Sequence, residues 1–339
     1  MIINIQLLRG LAALAVTFYH TGYVIPGTIY SDFLGVPVFF VISGFIMTHI
    51  TRASCDQFFL HRLIRIVPLY WLATAVYATL VVVIYPVIGK QSDNVVTIKT
   101  LLYDLFFIPR LDSEGTIIYP VLGVGWTLNL EMYFYLLFAG ALEISRRFAP
   151  AIVAVAVLAV WFSGAHLHLP PPIEFYAHSY VVYFPLGIAT YYASQLRRQQ
   201  TTAGLFAAFA GTAVLIWFAT TGSHSIGLIA PPLIVSGAVL LERGGCVCRY
   251  RLMMALGASS YALYLFHPFL IGLLRELAKR ATANFDMTAH LPAALLAVVL
   301  SAGAAWLISK WIETPLLAYL RGSLLRRSKV RSSGAMPAE

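Results

Sequence analysis

Residues Leu291 to Ser309 read LPAALLAVVLSAGAAWLIS, nineteen positions without one Asp, Glu, Lys or Arg. An α-helix rises ~1.5 Å per residue, so a stretch of this length nearly crosses the ~30 Å hydrocarbon core of a bilayer. In lipid every backbone N–H and C=O must find a partner within the segment, which a helix provides and an open strand does not. The pattern recurs along the chain. Apolar runs bounded by polar, Pro or Gly punctuation fall near 4–25, 33–51, 66–88, 122–142, 150–164, 177–195, 203–220, 224–241, 254–274 and 290–311. They predict an all-α, polytopic integral membrane protein of about ten transmembrane helices.

Composition agrees. Of 339 residues 60% are hydrophobic and 11% charged, against about 25% charged in soluble domains. The net charge of +9 lies beside the apolar runs rather than along a polar face, which argues against nucleic acid as a partner. With the N-terminus inside, fifteen basic residues become cytoplasmic: Arg52, Arg62, Arg65, Arg146, Arg147, Arg197, Arg198, Arg243, Arg249, Arg251, Arg321, Arg326, Arg327, Lys329 and Arg331. Six fall opposite: Lys90, Lys99, Arg110, Arg275, Lys279 and Arg280. The positive-inside rule therefore predicts both termini in the cytoplasm. The first run lacks a basic leader region and carries Arg9, so it is expected to stay as helix 1. Residues 1–320 are expected to form one membrane-embedded domain and 321–339 a basic, disordered cytoplasmic tail. Cys55, Cys246 and Cys248 fall on the cytoplasmic side, where thiols stay reduced, and Cys246-x-Cys248 is a weak metal signal. The loop of about 89–121, with Leu105-Phe106-Phe107-Ile108, is expected to dip back toward the membrane interface.

Ionisable groups inside apolar spans are costly and mark function more often than elsewhere. Helix 1 carries Arg9 and His20, eleven residues apart, nearly aligned on one face and ~16 Å apart along the axis. Helix 4 carries Glu131 in Trp126-Thr127-Leu128-Asn129-Leu130-Glu131. Helix 9 carries His267, followed by Pro268, which predicts a kink. Each could serve helix packing alone. Together they offer a base, a carboxylate able to orient it and an arginine. Arg62 and Arg65, three residues apart in His61-Arg62-Leu63-Ile64-Arg65, could fork onto phosphate oxygens or simply anchor helix 3 at the interface. Ser43-Gly44 reads more readily as close helix packing than as a nucleophile. No Walker motif, nucleophile elbow or HExxH is present.

Taken together these segments resemble the acyltransferase 3 family of membrane O-acyltransferases. The resemblance runs from Ile3 to Leu320. It rests on Arg9 to His20, on Phe39-Phe40-Val41-Ile42-Ser43-Gly44-Phe45, on Arg62 to Arg65 before Pro68, Tyr70 and Trp71, and on Trp126 to Glu131. The run from Ser260 through Tyr261 and Tyr264 to His267, and Trp311-Ile312-Glu313-Thr314-Pro315, complete the set. The resemblance implies transfer of an acyl group, usually acetyl, from cytoplasmic acyl-CoA to a hydroxyl of a surface polysaccharide, lipopolysaccharide or lipid-linked precursor. It implies a bacterial inner-membrane location, acetyl-CoA as donor substrate rather than a bound cofactor, and polysaccharide-assembly proteins as partners. It makes His20 the catalytic base, Arg9 its motif partner and Glu131 a supporting catalytic residue. Arg62 and Arg65 become the clamp on the CoA phosphates, and Trp126, Tyr264 and His267 substrate-binding residues.

A transporter or flippase would also place Arg, His and Glu within spans. Such proteins commonly show two similar halves with matching broken helices, and no such symmetry is evident in this sequence. A catalytically silent assembly partner would tolerate an apolar residue at position 20.

Overall fold

The computed structural model describes residues 2–29, 33–53, 56–87, 96–111, 117–196, 200–223, 227–281 and 287–325. Lys90, Arg197, Arg198, Arg326, Arg327, Lys329, Arg331 and Cys55 lie outside them, as do residues 326–339 of the tail.

Among the described residues there are ten helices of fourteen residues or more: α1 (Ile3–His20), α2 (Gly35–Ala53), α3 (Phe58–Thr79), α4 (Gly125–Ile144), α5 (Ala149–His166), α6 (Tyr183–Leu196), α7 (Gln200–Thr221), α8 (Ala230–Arg243), α9 (Ser260–Ala281) and α10 (Leu291–Ile308). Each falls on one of the ten apolar runs. Five of these segments are both long and apolar enough to cross a bilayer: α2, α3 continued to Val87, α5, α7, and α10 continued to Leu325. A sixth is a bent pair in which a short helix, Arg251–Ala258, meets α9 at 74°. At fourteen residues each, α6 and α8 are short for a span.

The helices divide by what they face. The α2 window is 67% buried, that of α5 only 22%. Phe206, Phe209 and Trp217 on α7, and Leu296, Val299 and Trp306 on α10, lie exposed. An outward surface this apolar would be a liability in water and suits hydrocarbon. This is the architecture of a helical membrane protein.

Small residues set the closest approaches, as helix association in lipid favours. A Cβ at Gly44 of α2 would fall 2.1 Å from the Phe184 carbonyl oxygen of α6, and one at Gly187 would fall 2.1 Å from that of Val41. Gly44 is thus a packing position, as the sequence suggested.

Two expectations need correction. The sharp bend near His267 lies at Ser259, not at Pro268, through which α9 continues. Ser259 ends the short helix: its amide and its Oγ both donate to the Ala255 carbonyl, each at 3.0 Å. The segment after Leu320 does not start as an irregular tail, because Arg321–Leu325 continues the helix as a π-helical turn. Beside the helices, Arg110–Leu111 pairs antiparallel with Ile117–Ile118 in a two-residue ribbon that leaves the fold helical. That pair follows a short helix, Ile98–Leu105, capped by Thr97 and Thr100 and tied back to α3 by Trp71 Nε1, which donates to the Leu105 carbonyl at 2.8 Å.

Candidate active site

Helix α1 places two of the singled-out side chains and is held at both ends. At its start the Glu242 carboxylate of α8 accepts from the amides of Ile3 (2.9 Å) and Asn4 (2.6 Å). The Asn4 side chain donates to the carbonyls of Ala238 and Cys246 and accepts from the Cys248 amide. Backbone groups of the Cys246-x-Cys248 segment thus clasp α1, while both thiols are free and exposed. At the other end, Arg275 Nη2 of α9 donates to the carbonyls of His20 (3.0 Å) and Thr21 (2.7 Å). An anion at the N-terminus and a cation at the C-terminus both complement the helix dipole.

A cavity of about 460 Å³ opens between α1, α2, α3, α4 and α9. Among the described residues its charged lining is Arg9, Arg62, Arg65 and Arg321 against Glu131, with the buried Glu313 carboxylate near enough to act on Arg9. Ser43, Thr127, Tyr135, Tyr261 and Tyr264 add hydroxyl-bearing walls. Glu131 Oε1 accepts from Ser43 Oγ at 2.9 Å and from the Tyr135 hydroxyl one turn along α4. Arg9 Nη1 donates to Gln6 Oε1 at 3.2 Å. Among the described residues no ion pair joins these arginines to Glu131, so the chamber keeps an excess of fixed positive charge. That excess, with guanidinium forks that match phosphate oxygens, suits a polyanion.

His20 and His267 stand together outside this cavity, ring centroids 4.7 Å apart and planes at 61°. Both are tied to their own helix by Nδ1, His20 to the Val16 carbonyl at 2.8 Å and His267 to that of Leu263 at 3.1 Å. A carbonyl can only accept, so in each neutral ring the proton sits on Nδ1 and the lone pair on Nε2. His267 is 1% exposed and its Nε2 has no hydrogen-bond partner.

Tyr264 joins the two groups. It lines the cavity, its ring lies 6.2 Å from that of His267, and its hydroxyl meets Thr127 Oγ1 at 2.5 Å and the Val124 carbonyl at 3.1 Å. Tyr261 fixes α9 to α3 by donating to the Ile66 carbonyl at 2.7 Å.

The structure therefore brings Arg9, Arg62, Arg65, Glu131 and Tyr264 to one chamber, and His20 to His267. Glu131 does not orient His20, because its bonds go to Ser43 and Tyr135. Trp126 belongs to neither group and packs instead with His178 (5.1 Å), Tyr180 (5.9 Å) and Tyr119 (6.4 Å). Sequence reasoning read Ser43 as a packing position and Arg321 as part of a basic tail, and did not single out Tyr135. The signal for Tyr135 was present, since it lies four residues after Glu131 on the same helix face.

A family profile described as an acyltransferase domain, acyltransferase 3, matches residues 2–310. The chain is 34% identical over 301 residues to the exopolysaccharide production protein ExoZ of Rhizobium meliloti (strain 1021), covering 84% of this chain and 89% of that one. It is 32% identical over 199 residues to nodulation protein 10 of Rhizobium leguminosarum bv. viciae, covering 49% and 52%. It is 32% identical over 198 residues to ORF330 of Acidianus two-tailed virus, whose name includes the word acetyltransferase, covering 56% and 54%. No solved structure matches significantly. With the profile spanning nearly all of the helical bundle, the chain belongs to the acyltransferase 3 family and is an acyltransferase.

Proposed function

We propose that this acyltransferase moves an acetyl group from cytoplasmic acetyl-CoA to a hydroxyl of a cell-surface polysaccharide or its lipid-linked precursor. In this reading the ten helices span the bacterial inner membrane with both termini inside, residues 1–320 are the membrane-embedded domain, and 321–339 are a basic cytoplasmic tail whose first residue, Arg321, lines the chamber. Polysaccharide-assembly proteins would present the acceptor. The observation that carries the proposal is the four-arginine chamber joined through Tyr264 to the His20–His267 pair.

The chemistry divides accordingly. Arg62, Arg65 and Arg321 hold the CoA phosphates, and Arg9 extends the positive field along α1 toward the histidines. The acceptor hydroxyl attacks the thioester carbonyl carbon, and His20 Nε2 takes its proton. The C–S bond breaks, the acyl C–O bond forms, and the CoA thiolate leaves to be protonated by the imidazolium. Arg275 holds the His20 carbonyl, His267 packs against the ring, and Glu131 orders Ser43 and Tyr135 in the chamber. A relative named for exopolysaccharide production supports a glycan acceptor, and one with acetyltransferase in its name supports acetyl.

The test is mass spectrometry of the surface polysaccharide from cells lacking the protein, rescued by wild type or by His20→Ala at equal level. Loss of one acyl mass that only wild type restores is the expected result. An unchanged acyl pattern with altered polysaccharide quantity would instead favour a transporter.

A further inference from the structure

A second concavity lies on the other side of α4 from the arginine chamber. It holds about 800 Å³ between α3, α4 and residues 105–109, with walls that include Leu63, Val67, Trp71, Phe106, Met132 and Leu136. Along α3 its lining runs from Phe59 to Trp71, an apolar path of about 18 Å. Helix α4 separates the two spaces by register: Thr127, Leu128, Glu131 and Tyr135 face the chamber, while Asn129, Met132, Tyr133 and Leu136 face the groove.

Two further chemistries continue the groove at the N-terminal end of α4. Arg110 follows the groove residue Pro109, and its Nη2 reaches Asp104 Oδ1 at 3.0 Å and the Tyr119 carbonyl at 3.3 Å. Its guanidinium is ion-paired with the buried Asp104 carboxylate and reaches the Tyr119 backbone. Beyond it Trp126, one turn before Asn129, gathers the rings of Tyr119, His178 and Tyr180. Within the groove lining, Asn129 is 2% exposed and its Oδ1 has no hydrogen-bond partner. The order is a long apolar channel, an arginine held by Asp104, then an aromatic cluster beside an unmet hydrogen-bond acceptor.

We propose that this groove binds a lipid-linked glycan, with the isoprenoid chain against α3 and α4, the phosphate at Arg110 and the first sugar against Trp126 and Tyr119. Aromatic faces take the C–H face of a sugar, and a guanidinium takes phosphate. A membrane phospholipid would use the channel and the cation but leave the aromatic cluster and Asn129 without a partner. The proposal rests on the glycan-acceptor reading above and gives that acceptor its membrane anchor. Helix α4 then carries donor contacts on one face and acceptor contacts on the other, and Trp126 and Thr127 are adjacent where the two meet.

The experiment is photo-crosslinking of the full-length protein in phosphatidylcholine nanodiscs with a long-chain polyprenyl phosphate carrying a terminal diazirine. Peptide mapping is expected to find labels on residues 59–71 and 132–136. Excess unlabelled polyprenyl phosphate is expected to lower them about tenfold, and the same excess of phosphatidic acid to leave them unchanged. Leu63→Trp and Val67→Trp, which fill the groove, should each lower labelling about tenfold at unchanged melting temperature. Equal competition by phosphatidic acid, or labelling elsewhere on the bundle, would overturn the proposal on wild type alone. The crosslinking mixture holds no acyl donor; a separate assay with acetyl-CoA and a water-soluble oligosaccharide scores acyl transfer. Competable labelling without transfer to any acceptor would defeat the acyl-transfer reading and keep the groove; transfer without competable labelling would defeat only the groove.

Discussion

The rings of His20 and His267, on helices α1 and α9, lie with centroids 4.7 Å apart, and each is tethered through Nδ1 to a carbonyl of its own helix. The tether leaves both Nε2 lone pairs unprotonated, yet only one ring is open: His267 is 1% exposed, whereas His20 is exposed at the end of α1. A group that takes a proton from an incoming hydroxyl must be reachable, and on that ground the proposed mechanism gives the base to His20 and a positioning role to His267.

His20→Ala should therefore lower kcat by about 10²- to 10⁴-fold with donor KM little changed, as loss of a general base does. His267→Asn, removing the ring that packs on His20, should lower kcat by about tenfold. The double variant should be no slower than His20→Ala, because two residues acting through one step are not additive. CoA release in proteoliposomes measures all three. Full additivity would show that His267 acts independently of His20.

Arg62→Ala and Arg65→Ala should raise donor KM by about tenfold or more each, since a charge-assisted hydrogen bond contributes about 1.5–3 kcal/mol. Arg321→Gln should do the same more weakly, because Arg321 is exposed and solvent screens it. Donor saturation curves decide this. Unchanged saturation in all three would remove the arginines from the phosphate-binding role and leave them as interface anchors.

Tyr135→Phe should leave Glu131 with the Ser43 hydrogen bond alone and cost about 1–3 kcal/mol of stability, read as a lower melting temperature in detergent. Glu131→Gln keeps the shape of the side chain and removes its negative charge, so it should raise the positive excess of the chamber and slow release of CoA. Donor KM should fall or hold while kcat drops. A rise in donor KM instead would place Glu131 in direct contact with the donor.

Much of this was legible in the sequence. All ten apolar runs became helices, because lipid-length apolar stretches leave the backbone few alternatives. Arg9, Arg62, Arg65, Glu131 and Tyr264 were each singled out and do share a chamber. Partners were not legible, since periodicity reports that a helix face is buried without naming what buries it. For that reason Glu131 was expected beside His20 and lies with Ser43 and Tyr135 instead. Arg321 was hidden in a basic stretch that reads as tail, and its helical continuation alone brings it to the chamber. The bend was assigned to Pro268 because proline is the usual breaker, whereas Ser259 ends its helix with its own hydroxyl.

The last prediction concerns α1, whose placement sets both Arg9 and His20. Glu242 and Arg275 come from different helices and hold its opposite ends, each with the sign of charge the helix dipole favours. Glu242→Gln keeps at most one of the two amide bonds and loses the charge, which should cost about 1–3 kcal/mol. Arg275→Met removes both carbonyl contacts while keeping the aliphatic stem, and should cost a similar amount. The two should differ in activity. Freeing the end nearer Arg9 should mainly raise donor KM, whereas freeing the end at His20 should mainly lower kcat, since a base displaced by ~1 Å can lose about 10²-fold in rate. Melting temperatures with full donor and acceptor kinetics separate these outcomes. If both variants shift KM and kcat alike, α1 moves as one rigid rod rather than being set independently at each end.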